Sequence, residues 1–240
     1  MARTLGGLIH EEVFQRVNMM GLAREEVGEF ITAKSGVAAP DAAVDALHRR
    51  TEGNPLFVGE VVGSVSVLQM VTNHAWLDNI PEAIREVIIR RVSRLSESCE
   101  QVVRNASVIG RDFDLPLLES LCSDLSEQEF LDSFDEAVAA QVIQSSPTMA
   151  RQFKFGHALI QQTVYEEFSP MGKMRMHATI ADALEQRYET GVDGHAAELD
   201  HHFAEAGTSD GKEKAISYSL IAGEYALSTF AYEHALNNFT

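Results

Sequence analysis

Between almost every pair of turn signals in this chain, apolar residues recur at three- and four-residue spacing. That period is helical, and it confines the fold to packed short helices. In "LAREEVGEFITAK", Leu22, Val27, Phe30 and Ile31 fall on one face. "SGVAAP" is a loop, and Pro40 suits the first turn of "DAAVDALHRR". "EGN" ends that helix and Pro55 starts the next, "PLFVGEVVGSVSVLQM". Pro81 opens "PEAIREVIIRRVSRL".

Period-two alternation is confined to two places. "VFQRVNMM" (13–20) reads as one short strand, and "QVIQSSPTMARQFKF" alternates around a Ser-Ser-Pro turn as a β-hairpin does. Ahead of that hairpin lie three helical patterns: "SCEQVVRNASVIG", "DLPLLESLC" and "SEQEFLDSFDEAVAAQ". The third opens on Ser126 with Glu129, a capping box. "HALIQQTVYEEF" returns to helix. Three helices, a hairpin and a further helix make a winged-helix-like block. The tail is helical throughout: "KMRMHATIADALEQRY", "HAAELDHHFAEAG", "EKAISYSLIAGEYALSTF" and "AYEHALNNFT". In it Ala215, Ala222, Gly223, Ala226, Ala231 and Ala235 recur beside Tyr218, Tyr225 and Tyr232, much as in tetratricopeptide helix pairs. About one such repeat is present, and one unit cannot bury its apolar face alone. The expectation is a segment cut from something longer at both ends.

The predicted fold is therefore mainly α. Its parts are a strand region over 1–21, a helical lid bundle over 22–96, a winged-helix domain with one β-hairpin over 97–168, and a helical linker with the start of tetratricopeptide-like hairpins over 169–240.

Charge narrows the partners. A formal net charge of -17 over 240 residues disfavours polyanions, whether nucleic acid or an anionic membrane surface. Residues 181–240 hold eleven acidic side chains against Arg187, Lys212 and Lys214. In a winged helix the third helix would enter the DNA major groove. Here it carries Glu127, Glu129, Asp132, Asp135 and Glu136 with no lysine or arginine, so it would repel phosphates. The basic run Arg85, Arg90, Arg91 and Arg94 reads as a solvated face pairing with Glu82, Glu86 and Glu97. The N-terminus lacks a signal-peptide core, and no apolar run reaches membrane-spanning length. Cys99 and Cys122, outside any CxxC, read as reduced, mostly buried thiols of a cytoplasmic protein.

Catalytic signatures are missing. The chain has no phosphate loop, no G-x-G-x-x-G, no G-x-S-x-G and no HExxH. His195, Glu198 and His202 stand at i, i+3 and i+7 near one helix face, a conceivable metal set. An exposed acidic face that happens to carry histidines accounts for them better, so no metal is assigned. Nothing reads as an autonomous enzyme.

Six segments in order resemble the middle of bacterial STAND-type ATPase regulators: "RTEGNPLFVGEVV", "IPEAIREVIIRRVSRLSE", "ASVIGRDFDLPLLE", "FKFGHALIQQTVYEEFS", "RMHATIADALE" and "AAELDHHFAEAG…KAISYSLIAGEYAL". These are AAA-like signalling proteins with tetratricopeptide repeats, among them LuxR-type transcriptional regulators and relatives coupled to class III nucleotide cyclases or protein kinases. The resemblance implies the last strand of an ATPase core, a helical lid, a winged helix and a repeat-rich sensor. It implies that Gly53, Asn54 and Pro55 form a turn near the adenine of bound nucleotide, and that His157 approaches the phosphates in the ADP form. The family's phosphate loop and Mg²⁺-binding strand would lie upstream of residue 1. ATP or ADP would therefore bind only together with that core, and this segment would hold no metal. The implied partners are the upstream ATPase core, an output domain, and an inducer or protein on the repeats, without direct nucleic-acid or membrane binding. The competing reading is a structural helical adaptor in which "GNP" is a plain turn.

Overall fold

The computed structural model describes residues 21–72, 76, 80–145, 151–188, 191–229 and 231. The expected strand over 13–20, the Ser-Ser-Pro turn beyond Ser145 and most of "AYEHALNNFT" lie outside the described residues. The described part is mainly helical with one small antiparallel sheet. It divides into two compact units, residues 1–79 and 80–240. Helix "PEAIREVIIRRVSRL", grouped by sequence with the lid, falls in the second unit.

In the first unit, α1 (Arg24–Ser35), α2 (Asp41–Thr51) and α3 (Pro55–Ser64) pack on one another, and the short α4 (Val67–Thr72) follows. The start of α1 is set by Glu26, whose carboxylate accepts the Ala23 N–H at 2.7 Å. Its end is Gly36 in the left-handed conformation. Val27, Ile31, Val44, Leu47, Phe57, Val58 and Val61 are buried. Arg24 bridges Asp41 and Asp45 and so ties α1 to α2 at the surface. Its hydrogen bond holds the Asp45 carboxyl below the ordinary carboxylate value. Trp76 is buried and donates its indole N–H to the Met70 carbonyl at 3.3 Å.

The second unit opens with α5 (Glu82–Val92). Then come α6 (Glu97–Ile109), β1 (Asp112–Asp114), α7 (Leu115–Leu121), α8 (Glu127–Ala139), β2 (Ile143–Ser145), β3 (Gln152–Phe155) and α9 (Ala158–Glu166). The sheet order is β1-β3-β2, both pairs antiparallel, with Phe113 opposite Phe153 and Ile143 opposite Phe155. This is a winged-helix arrangement. The expected hairpin is present as β2 and β3, and β1 adds a third strand just ahead of "DLPLLESLC", where the sequence pattern assigns no element. The Ser126–Glu129 capping box forms as expected, with Ser126 Oγ accepting the Glu129 N–H at 3.3 Å. Phe113, Phe134, Ile143 and Phe155 lie buried between sheet and helices.

α5 sits on α9 through Ile84, Ile88 and Val92. Its Arg85 pairs with Glu82 as expected, and also reaches Glu166 and Glu167. Cys99 and Cys122 are free and buried, and burial pushes their thiols up to about 12 and about 11.

The remaining helices are α10 (Pro170–Arg187), α11 (Ala196–Ala206) and α12 (Ser209–Ser228). α10 packs on α6 and α7, and Arg187 reaches Asp114 at 2.9 Å. α11 packs on both α10 and α12. Gly207 (φ 65°) and the Thr208 cap turn α11 into α12 within two residues, which makes the pair a helical hairpin. Phe203 stacks on Tyr218 at 5.6 Å, and Glu185 of α10 accepts from Lys214 and Tyr218 of α12, both at 2.7 Å. No described helix is long and apolar enough to cross a membrane.

Candidate functional site

The "GNP" turn joins α2 to α3. Glu52 (φ 50°) and Gly53 (φ 69°) are both left-handed, which reverses the chain. Leu22 donates its N–H to the Gly53 carbonyl at 2.7 Å, so the segment entering α1 lies against the turn. The approach is so close that a Cβ on Gly53 would sit 2.1 Å from the Leu22 carbonyl oxygen, and one on Gly21 would sit 2.4 Å from that of Glu52. Asn54 then caps α3, its Oδ1 accepting the Leu56 N–H at 3.0 Å. Pro55 takes the first helical position, where its fixed φ and missing donor cost nothing. The three residues thus form one turn at a helix N-terminus, where Pro55 has no N–H to give and Asn54 takes those of Leu56 and Val58.

His157 belongs to the second unit and is the N-cap of α9. Its Nδ1 accepts the Leu159 N–H at 3.1 Å, and the side chain is buried. Accepting at Nδ1 fixes the tautomer of the neutral ring, with the proton on Nε2. Gly156 brings this residue in against the sheet: its N–H bonds the Val142 carbonyl at 2.8 Å, and a Cβ there would lie 2.4 Å from the Gln141 oxygen.

The triple His195, Glu198 and His202 does not come together as helix spacing suggested. His195 Nδ1 is 3.7 Å from Glu198 and its ring stacks on Tyr188 at 3.6 Å. His202 turns the other way, toward α10. Burial raises the Glu198 carboxyl above its usual value, with the charge of Asp114 adding to the shift and His195 opposing it. The sign follows directly. A carboxyl whose folded value is raised loses stability as pH climbs through its unfolded value toward its folded one. Glu198→Gln is therefore expected to raise the thermal midpoint at pH 7, and the gain should vanish below about pH 4.5, where the carboxyl is protonated even when unfolded. Thermal melts of both proteins at pH 7 and pH 4 check this.

A second cluster lies between α10 and α11. His177 Nδ1 stands 2.8 Å from His202 Nδ1, and His177 Nε2 stands 3.0 Å from the Tyr165 hydroxyl. His201, exposed beside the buried pair, completes a group whose ligand-capable atoms all lie within 4.8 Å of one another. The two Nδ1 atoms hold a single proton between them, since two protons would collide. Burial is the main reason both imidazoles stay neutral well below the ordinary histidine value, His177 to about 4 and His202 to about 3; their neighbours His201 and, for His202, His177 push the same way. The sequence offered half of this signal, "DHH", on one helix. The other half, His177, stands on the preceding helix with nothing in its spacing to link it.

No family model matches the chain. It is 25% identical over 205 residues to an uncharacterised protein of Rhizobium meliloti (strain 1021), a match covering 80% of this chain and 20% of that protein. The chain thus spans about one fifth of the length of the curated relative it matches.

Proposed function

We propose that this chain is a non-catalytic relay segment of a STAND-type, ATP-dependent cytoplasmic regulator. It couples the ATP or ADP state of an ATPase core to a repeat-based sensor carried by α10 to α12 and beyond. The observation that carries the reading is the rigid Gly53–Asn54–Pro55 turn at the start of α3, in a helical unit that precedes a winged helix. Pro55 offers a flat apolar face without a donor, the surface a base packs on. His157 stands at the N-terminus of α9, where the helix dipole favours negative charge. Nucleotide exchange biases a two-state element through ligand contacts, and the repeats receive the inducer or protein partner. α8 leaves Glu127, Glu129, Asp132 and Asp135 exposed, which supports a winged helix used for relay rather than for DNA.

The test uses a longer protein that carries this chain together with an ATPase core. His157→Ala removes both the cap and the imidazole, whereas His157→Asn keeps a good N-cap and removes only the imidazole. Both variants are expected to release ADP about tenfold faster or more, since a hydrogen bond to a charged group contributes about 1.5–3 kcal/mol. Basal output should rise with the release rate. Wild-type ADP release from the asparagine variant would confine His157 to capping α9. The adaptor reading would then lead. It is favoured by a turn whose polar groups are satisfied internally and by Ile216 and Leu220 standing exposed one turn apart on α12.

A further inference from the structure

Three histidines from two helices converge where neither the nucleotide reading nor the winged helix has any use for them. His177 comes from the middle of α10, and His201 and His202 come from α11. The buried members are 1% exposed each, yet among the described residues their ring nitrogens bond only each other and Tyr165. A core position of this kind is ordinarily filled by an apolar side chain, because burying imidazole costs free energy that leucine does not incur. Two buried imidazoles and a solvent-side third are the donor set that borderline divalent metals select.

We propose that His177, His201 and His202 form a binding site for a Zn²⁺-class divalent transition metal that clamps α10 to α11, with water in the fourth position.

The buried pair needs little adjustment, and the exposed His201 side chain swings in to close the set, whose ligand atoms already lie within 4.8 Å of one another. Two ligands of one tetrahedral zinc, each at about 2.0–2.1 Å, stand roughly 3.3 Å apart. The His177 and His202 Nδ1 atoms, at 2.8 Å, need to part by about half an ångström, a small ring rotation for each. Both Nδ1 atoms must give up the proton they share. The proton moves within its own ring, from Nδ1 to Nε2, so none is released and both rings stay neutral. For His177 the Nε2–H then donates to the Tyr165 hydroxyl oxygen at 3.0 Å, the outer contact that orients a metal-binding imidazole. Neutral rings are the ligating form. Glu205, one turn along α11 from His201, places a negative charge that acts on the His177 ring, while Lys173, 4.2 Å from the centre of the Tyr165 ring, opposes it. His201 is exposed, so an ion enters from solvent without opening the helix pair.

The probe is the metal alone, added to the chelator-treated 240-residue chain: Co²⁺ followed by its visible absorption, then Zn²⁺ in competition, with thermal melts alongside. One equivalent should bind, and saturation should raise the thermal midpoint. His201→Ala, an exposed change that leaves the buried pair intact, should weaken binding roughly 100-fold, and Tyr165→Phe roughly tenfold, as loss of an outer-contact partner does. His195→Ala, on a half-buried histidine just before α11, should bind as wild type. Absence of one-equivalent binding below about 0.1 mM metal overturns the site. Equal affinity in wild type and His201→Ala, or equal weakening by His195→Ala, overturns it as well. His201→Ala keeps the core, so a misfolded variant cannot decide the outcome.

Discussion

Gly53→Ala is expected to destabilise the first helical unit by more than about 2 kcal/mol, and Gly36→Ala by only about 1 kcal/mol. The two glycines share a left-handed backbone, with φ 69° and 73°. An alanine there incurs the left-handed penalty of about 1–2 kcal/mol at either site. They differ in what surrounds them. Nothing lies within 4 Å of a Cβ built on Gly36, whereas one on Gly53 meets the Leu22 carbonyl oxygen at 2.1 Å. That oxygen is backbone, so the segment before α1 must move and the Leu22–Gly53 hydrogen bond is lost. Trp76 is the sole tryptophan and is buried in this unit, so its fluorescence during urea unfolding reads the effect directly. Equal losses at the two positions would mean that the turn relaxes, and the rigidity argued for Gly53–Asn54–Pro55 would fail with it. The same variant in a longer protein with an ATPase core should weaken nucleotide retention, because Asn54 and Pro55 ride on the displaced segment.

The turn was legible because its chemistry is local. Gly, Asn and Pro in that order stop one helix, cap the next and start it, and each role needs only neighbours in sequence. The same holds for Ser126 with Glu129, and for the alternation that became β2 and β3. What escaped reading depends on distant partners. β1 is three residues, "DFD", too short to show alternation, and it becomes a strand only because β3 offers Phe153 and Lys154 opposite it. Gly21 looked like the end of a strand, yet its need for glycine comes from Glu52, some thirty positions along. The histidine pair is the clearest case. Helix spacing put His202 with His195 and Glu198, but a seven-residue interval is a loose guide when the neighbouring helix carries a partner. His177 captured the ring from α10, and Glu198 was left to pair with His195. Lid and repeat roles rest on likeness of segments, which a fold by itself does not test.

Phe155→Ala is expected to cost the second unit about 3–5 kcal/mol, the range for deleting a buried phenylalanine. Phe155 is fully buried, on the central strand of the sheet. Its ring meets Phe113 edge-on at 5.9 Å, across from Ile143 on β2. These partners come from both flanking strands, so the cavity touches every strand of the wing at once. The backbone has no freedom to collapse around it: Phe155 donates its N–H to the Arg111 carbonyl at 2.9 Å, and Gly156 bonds Val142 at 2.8 Å. A cavity that cannot close costs most. Gly156 and His157 follow directly, so a loosened β3 also misplaces the cap of α9. Far-UV circular dichroism during urea unfolding measures the loss, and Phe155→Leu, which keeps most of the volume, should recover much of it. A cost below about 1.5 kcal/mol would mean that the sheet repacks freely. His157 would then sit on a yielding support, unfit to hold a phosphate-sensing side chain in place.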